Sequence, residues 1–174
     1  MRSLTIVAVM VAVLVPGAVL AQSVGDQDYN WRIRGGWFEM NDLGDNFGFG
    51  ADYLFGAGSD RIMLSADWNR VELARQVGSF ADKGALDVDQ RWNVTVNYYH
   101  EQDTATRDWF YGGGAGWSWV TDGVSDDSPI GHIFGGLNLG ERQSYFLQFG
   151  FYLGTDYFDT INTNGPYFQL GAQF

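Results

Sequence analysis

Apolar and polar residues alternate with a period of two in about eight segments between Asn30 and the last residue. Clusters of Gly, Asp, Asn and Ser separate these segments, and no stretch has a helical period. Because successive side chains of a strand point to opposite faces, the pattern predicts an all-β protein with eight antiparallel strands. The expected strands are residues 30–40, 47–57, 61–73, 89–100, 108–120, 130–139, 143–155 and 167–174.

The connections between these segments alternate in length. Residues 58–60, 102–107 and 140–142 form short turns, whereas residues 74–88, 121–129 and 156–166 form longer loops, and 41–46 is a short connection on the loop side. Bacterial membrane barrels combine an even number of strands with short periplasmic turns and longer external loops. The alternation therefore predicts an up-and-down transmembrane β-barrel with its loops outside the cell.

The two faces of the predicted strands differ in side-chain size. One face collects most of the aromatic rings, and the other collects glycines and small or polar residues. An eight-stranded barrel has an interior just wide enough for ordinary side chains, so we expect the rings to face lipid and the polar set to fill the lumen. The aromatic girdle predicted on this basis is Trp31, Trp37, Trp68, Trp92, Trp109, Trp117, Trp119 and Tyr145.

Residues 1–21 have the pattern of a secretory signal peptide. Arg2 precedes an apolar run, and Val19-Leu20-Ala21 is a small-residue cleavage pattern. Pro16 interrupts the run, which is short for a membrane helix of about 20 residues. We expect a signal peptide at 1–21, a short periplasmic segment at 22–29 and an outer-membrane barrel at 30–174. The chain has no cysteine, which excludes disulfides and a lipoprotein anchor.

The chain is acidic, with 10 basic and 21 acidic residues. This balance excludes a nucleic-acid partner, because such binding requires Lys and Arg at the phosphates. Carboxylates in the predicted loops suit Ca²⁺ or Mg²⁺, but the run 122–127 lacks the spacing of an EF-hand. We therefore expect a solvated acidic rim without a metal site or a cofactor. Its residues are Asp42, Asp45, Asp82, Asp122, Asp126, Asp127, Asp156 and Asp159.

Four charged residues share the predicted inward face of the first three strands: Arg32, Arg34, Asp52 and Asp67. Buried charges require partners, so an ion-pair network that plugs the lumen is the simplest interpretation. The lining of a selective pore is the alternative.

The last strand has apolar residues at every second position back from the terminal aromatic, namely Phe168, Leu170, Ala172 and Phe174. This pattern resembles the C-terminal signal that the barrel assembly machinery reads in outer-membrane proteins. The Gly-rich segment 109–117 resembles the central strand of the small OmpA-like, opacity-type barrels. The resemblance implies an outer-membrane location in a Gram-negative-type bacterium. It implies contact with membrane lipid and, during biogenesis, with the assembly machinery. We expect a monomer.

Three functions are compatible with such a barrel. A structural or interaction role in the cell envelope fits the polar, charged set on the predicted inner face. The alternative is a narrow OmpW-like, porin-like channel for small or apolar solutes. A lipid A-modifying enzyme is the third, because eight-stranded lipid A deacylases place a Ser nucleophile two residues after a His. Here Phe134 stands two residues after His132, so no enzyme is predicted.

Overall fold

The computed structural model describes residues 30–40, 44–70, 90–104, 107–121, 126–139, 145–154, 162 and 164–174. The predicted signal peptide and segment 22–29 lie outside these residues. In the part of the chain so described, no helix is long and apolar enough to cross a membrane. The strands are β1 (Trp31–Met40), β2 (Gly44–Phe55), β3 (Asp60–Arg70), β4 (Gln90–Thr104), β5 (Arg107–Thr121), β6 (Asp126–Leu139), β7 (Tyr145–Gly154) and β8 (Gly165–Gln173).

The eight strands form a closed antiparallel barrel, so the predicted fold class is confirmed. Each strand pairs with the next, and β8 pairs with β1. Trp37, for example, lies opposite Phe47 on one side and Phe168 on the other. Beyond the end of β8, the backbone of Phe174 exchanges two hydrogen bonds with that of Trp31, at 2.9 and 3.0 Å. Closure removes the unpaired edges that an open sheet would present.

Several of the expected connections are shorter than the sequence suggested, and 41–46 reduces to residues 41–43. The predicted turn 102–107 reduces to residues 105–106, and the predicted long loop 121–129 reduces to 122–125. Polar residues and Pro129 end the apolar alternation at these places, but the backbone pairing continues, with Trp117 opposite Pro129 and Val120 opposite Asp126. Backbone hydrogen bonds do not depend on side-chain polarity, so the sequence pattern stopped before the strands did.

Burial alternates along the strands, and the predicted girdle residues lie on the outer surface. We call the end of the barrel with the Gly56–Ser59 connection the turn end, and the opposite end the loop end. Trp31, Trp109 and Tyr145 are near the turn end. The other five girdle residues, Trp37, Trp68, Trp92, Trp117 and Trp119, are near the loop end. This arrangement has the form of two aromatic bands.

The interior holds more rings than expected from the sequence. Small and polar groups were predicted in the lumen, but seven aromatic side chains are buried there. Glycines on neighbouring strands leave space for these rings. A Cβ at Gly136 would collide with the Phe110 ring, and a Cβ at Gly171 would collide with the Phe146 ring. Small and large residues thus alternate around the interior, as they do in small barrels. The seven rings are Phe38, Tyr99, Phe110, Phe134, Phe146, Tyr152 and Tyr167.

Candidate functional site

The centre of the lumen holds an arginine that binds two carboxylates. Arg34 Nη2 lies 2.8 Å from Asp52 Oδ1, and its Nε lies 3.1 Å from Asp52 Oδ2. Its Nη1 and Nη2 donate to the two oxygens of Asp67, at 2.5 and 3.1 Å. All three side chains are buried. The guanidinium therefore makes a two-pronged contact with each carboxylate, which is its strongest arrangement.

The strand register explains how one arginine reaches both acids. Arg34 in β1 lies opposite Gly50 in β2, and Gly50 lies opposite Asp67 in β3. Because Gly50 has no side chain, the guanidinium can pass over β2 to reach Asp67. From β7, the Tyr152 hydroxyl donates to Asp67 Oδ2 at 2.7 Å. We call Arg34, Asp52 and Asp67 the Arg34 cluster. Its hydrogen bond to Tyr152 connects strands on opposite sides of the lumen.

Arg32, which the sequence analysis placed in the same network, is bound in a different way. Among the described residues it forms no ion pair. Its guanidinium carbon lies 3.7 Å from the centre of the Phe146 ring and 4.4 Å from that of Phe110. Its Nη2 also donates to Gln148 Oε1 at 3.4 Å. Cation–π contacts thus take the place of the expected carboxylate.

His132 is a fixed member of a hydrogen-bonded chain. Asn97 Nδ2 donates to Ser65 and Thr95, so its Oδ1 is the acceptor for His132 Nδ1 at 3.2 Å. Nδ1 therefore carries the hydrogen, and Nε2 accepts one from the Tyr167 hydroxyl at 2.5 Å. Both ring nitrogens are used, and neither contacts a serine of the described strands. The two contacts hold the ring in place.

A second polar network closes the turn end of the lumen. Arg61 of β3 forms an ion pair with Glu101 of β4, and Asn138 of β6 donates to the same carboxylate. Gln173 of β8 donates to Asn138 at 3.4 Å. This network was not predicted from the sequence. The sequence signal for this network was one inward-facing charged residue beside a tight turn in each of two neighbouring strands.

A layer of packed rings separates the two polar networks. The Tyr99 and Phe110 rings stack at 5.4 Å between centres, and Phe110 and Phe146 meet edge to face at 6.0 Å. Such distances are those of direct aromatic contact. From the turn end inward, the lumen is therefore filled by a polar network, a ring layer that holds Arg32, and the Arg34 cluster.

Of the remaining predicted sites, the described side chains lie on or near the outer surface. Phe168, Leu170 and Phe174 of the predicted assembly signal are exposed on the outer face, and Ala172 beside them is half-buried. Asp127 is exposed at the loop end. Within the described strands, no three His, Asp or Glu side chains are grouped so that they could hold a metal ion. The side chains of the other predicted rim residues lie outside the described part: Asp42, Asp45, Asp82, Asp122, Asp126, Asp156 and Asp159.

No sequence profile of a known protein family matches the chain, and no curated protein matches it significantly. Solved structures do match. The crystal structure of Neisserial surface protein A covers 87% of this chain and 100% of its own, with a TM-score of 0.57 and 11% identity. The N-terminal β-barrel domain of Pseudomonas aeruginosa OprF matches with a TM-score of 0.49 and 11% identity, over 84% of this chain and 98% of that domain.

A third match is Ail, the attachment invasion locus protein of Yersinia pestis, solved in complex with the heparin analogue sucrose octasulfate. Its TM-score is 0.46 at 11% identity, and the match covers 83% of this chain and 95% of that one. The likeness to Neisserial surface protein A shows that the chain has the fold of the small eight-stranded outer-membrane β-barrels. At the level of the fold, the resemblance to OmpA-like barrels is therefore confirmed.

Proposed function

Because the chain has the fold of the small outer-membrane barrels, we propose that it is an outer-membrane β-barrel with a structural or interaction role in the cell envelope. One observation carries this proposal. Rings such as Trp37, Phe49 and Phe149 are half-exposed on the outside, while the Arg34 cluster is buried inside. A protein in water would bury the rings and expose the charges. Lipid around the barrel explains the inverted arrangement.

The ends of the barrel give the proposed orientation. The longest connection, residues 71–89, joins β3 to β4 at the loop end, and the described N-terminal and C-terminal residues are at the turn end. Long loops of bacterial barrels are external, so we place the turn end in the periplasm. The acidic loop residues then form an external rim. Membrane lipid and, during biogenesis, the assembly machinery are the proposed partners of a monomeric barrel.

The packed interior supports a closed lumen rather than a channel. A narrow OmpW-like path for apolar solutes is the alternative, and the inner rings are the observation that favours it. However, these rings contact each other and the Arg32 guanidinium, so they fill the interior instead of lining an open wall. All eight neighbouring strand pairs of the described barrel are also hydrogen-bonded. A lateral opening between strands would require one of these pairs to separate.

The contacts of His132 inside the lumen also support a role without catalysis. His132, the only residue with a resemblance to an enzyme motif, uses both nitrogens in contacts with Asn97 and Tyr167. A general base needs a lone pair that reaches the proton to be removed, and the Nε2 lone pair already accepts from the Tyr167 hydroxyl. Phe134 occupies the position where the deacylase motif has serine.

Fractionation and conductance test the proposal together. We expect the protein in outer-membrane fractions, with a folded band on electrophoresis that shifts when the sample is heated. The refolded protein should give no steady conductance in planar bilayers, because the ring layer and the Arg34 cluster obstruct the lumen. Recovery as a soluble periplasmic protein would refute the membrane location. Steady channels that are abolished by a substitution at Asp52 would instead establish the channel alternative.

The terminal residue offers a test that separates recognition from stability. Phe174 exposes its ring, while its backbone closes the barrel through hydrogen bonds to Trp31. Phe174→Ala keeps both backbone bonds, so we expect slower insertion in cells with nearly unchanged unfolding in vitro. Deletion of Phe174 should add a loss of about 1 to 3 kcal/mol for the two bonds. Equal insertion rates for wild type and Phe174→Ala would show that the ring is only a girdle residue.

A further inference from the structure

Four hydrogen-bonding side chains form a cluster on the outer surface at the turn end: Asp60, His100, Tyr98 and Ser59. Asp60, the first residue of β3, lies opposite His100 in β4, and its Oδ1 is 2.8 Å from His100 Nδ1. The Tyr98 hydroxyl donates to the same oxygen. Ser59 Oγ donates to Oδ2 at 3.1 Å. The Asp60 side chain nevertheless remains 61% exposed, so its carboxylate can accept further hydrogen bonds from outside.

The hydrogen bonds within this cluster determine which charge and which acceptor atoms it presents to a ligand. Tyr98, His100 and Ser59 all direct hydrogen bonds at the Asp60 carboxylate, and such bonds favour its ionised form. A carboxylate can only accept, so the hydrogen of a neutral His100 ring is on Nδ1 and the lone pair is on Nε2. Among the described residues, Nε2 has no hydrogen-bond partner. The cluster therefore offers a negative charge and a second acceptor.

Aromatic rings continue the cluster along β5. The Tyr111 ring lies 5.0 Å from the His100 ring, and Trp109 stacks on Tyr111 at 5.3 Å. Aromatic faces attract cations, and Trp and Tyr are the most effective. A carboxylate, a nitrogen lone pair and aromatic faces thus occur together, and each of them favours a positively charged hydrogen-bond donor.

The position of the cluster indicates where such a donor would come from. The cluster lies on the lipid-facing side of β3, β4 and β5, and the exposed apolar residues Ile62 and Val96 come next toward the middle of the barrel. If the barrel spans a membrane, as proposed above, the cluster lies where the apolar band meets the headgroups.

We propose that three residues of this cluster, Asp60, His100 and Tyr111, bind the primary ammonium group of an ethanolamine phospholipid. The ammonium has three N–H donors, which can be shared between the Asp60 carboxylate and His100 Nε2 while the charge lies against the Tyr111 ring. A choline headgroup has the same charge but no N–H donor. Preference for ethanolamine over choline is therefore the distinguishing property. A lysine of a partner protein has the same ammonium group, but the apolar neighbours Ile62 and Val96 favour a lipid.

The test uses nanodiscs that contain equal amounts of ethanolamine and choline phospholipids with identical acyl chains. Native mass spectrometry of the released barrel then counts the lipids that stay bound. We expect the wild type to retain ethanolamine lipid about threefold to fivefold more often, as for a partly exposed charged contact. The ratio should fall to about one in Asp60→Asn and in His100→Phe. Asp127→Asn, which removes an exposed acid at the other end, should keep the wild-type ratio.

Stepwise N-methylation of the ethanolamine headgroup gives a second measurement. Retention should decrease with each N–H that is replaced by a methyl group. Equal retention of all headgroups by the wild type, or an unchanged ratio in Asp60→Asn, would overturn the proposal. A barrel that enters nanodiscs without headgroup preference would overturn this inference alone. A chain that enters no bilayer would overturn the proposed function as well.

Discussion

Arg34→Met is expected to lower the free energy of unfolding by about 3 to 5 kcal/mol, the typical cost of removing one partner from a buried ion pair. Arg34 is the cation bound to both Asp52 and Asp67. Its removal leaves two buried carboxylates close together, and within the described barrel only Asp67 keeps a further donor, the Tyr152 hydroxyl. Reversible urea unfolding of the refolded barrel in lipid vesicles measures the loss.

Two further variants identify the cause of this loss. Arg34→Met combined with Asp52→Asn and Asp67→Asn removes the charges together, so it should recover at least half of the lost stability. Arg70→Met removes an exposed arginine at the loop end of β3 and should change stability by about 1 kcal/mol or less. If the single Arg34 variant were as stable as the Arg70 variant, the charged cluster would not stabilise the closed lumen.

Gly136→Ala is expected to cost about 1 to 3 kcal/mol, whereas Gly135→Ala, one residue away, should change stability by about 0.5 kcal/mol or less. A Cβ at Gly136 points into the lumen and would collide with the Leu147 carbonyl and the Phe110 ring. A Cβ at Gly135 points outward, and its closest neighbour would be the Phe110 carbonyl oxygen at an ordinary 3.5 Å. The two variants make the same chemical change on opposite faces of one strand.

The same urea unfolding experiment compares the two glycine variants. Adding Phe110→Leu to Gly136→Ala should recover only part of the stability, because the collision with the Leu147 carbonyl remains. Equal losses for Gly135→Ala and Gly136→Ala would mean that backbone freedom, rather than space in the lumen, explains both glycines. That result would contradict the pairing of small and large residues inside the barrel.

The period-two pattern predicted the eight strands, the alternating lengths of the connections predicted the barrel, and the size of the rings predicted which face points outward. This information is local: alternation within a strand assigns its faces, and Gly, Asp and Ser clusters separate the strands. The ends of strands were harder to predict from the sequence, as at residues 121–129, because backbone pairing continues where the side-chain pattern stops. The tight inward packing of Phe110 and Phe146 was also missed, since the glycines that admit these rings are on neighbouring strands.

The sequence placed Arg34 near Asp52 and Asp67, and only the tertiary structure decided that Arg32 does not join them. Arg32, not Arg34, lies directly opposite Asp52 in the strand register, yet Asp52 binds Arg34. Gly50 has no side chain and so leaves space for Arg34 to reach both acids. Rings from β4, β5 and β7 surround Arg32 instead. The partners come from distant parts of the chain and meet only when the barrel closes. The sequence therefore determined which residues face the lumen, and the packing across the lumen determined their partners.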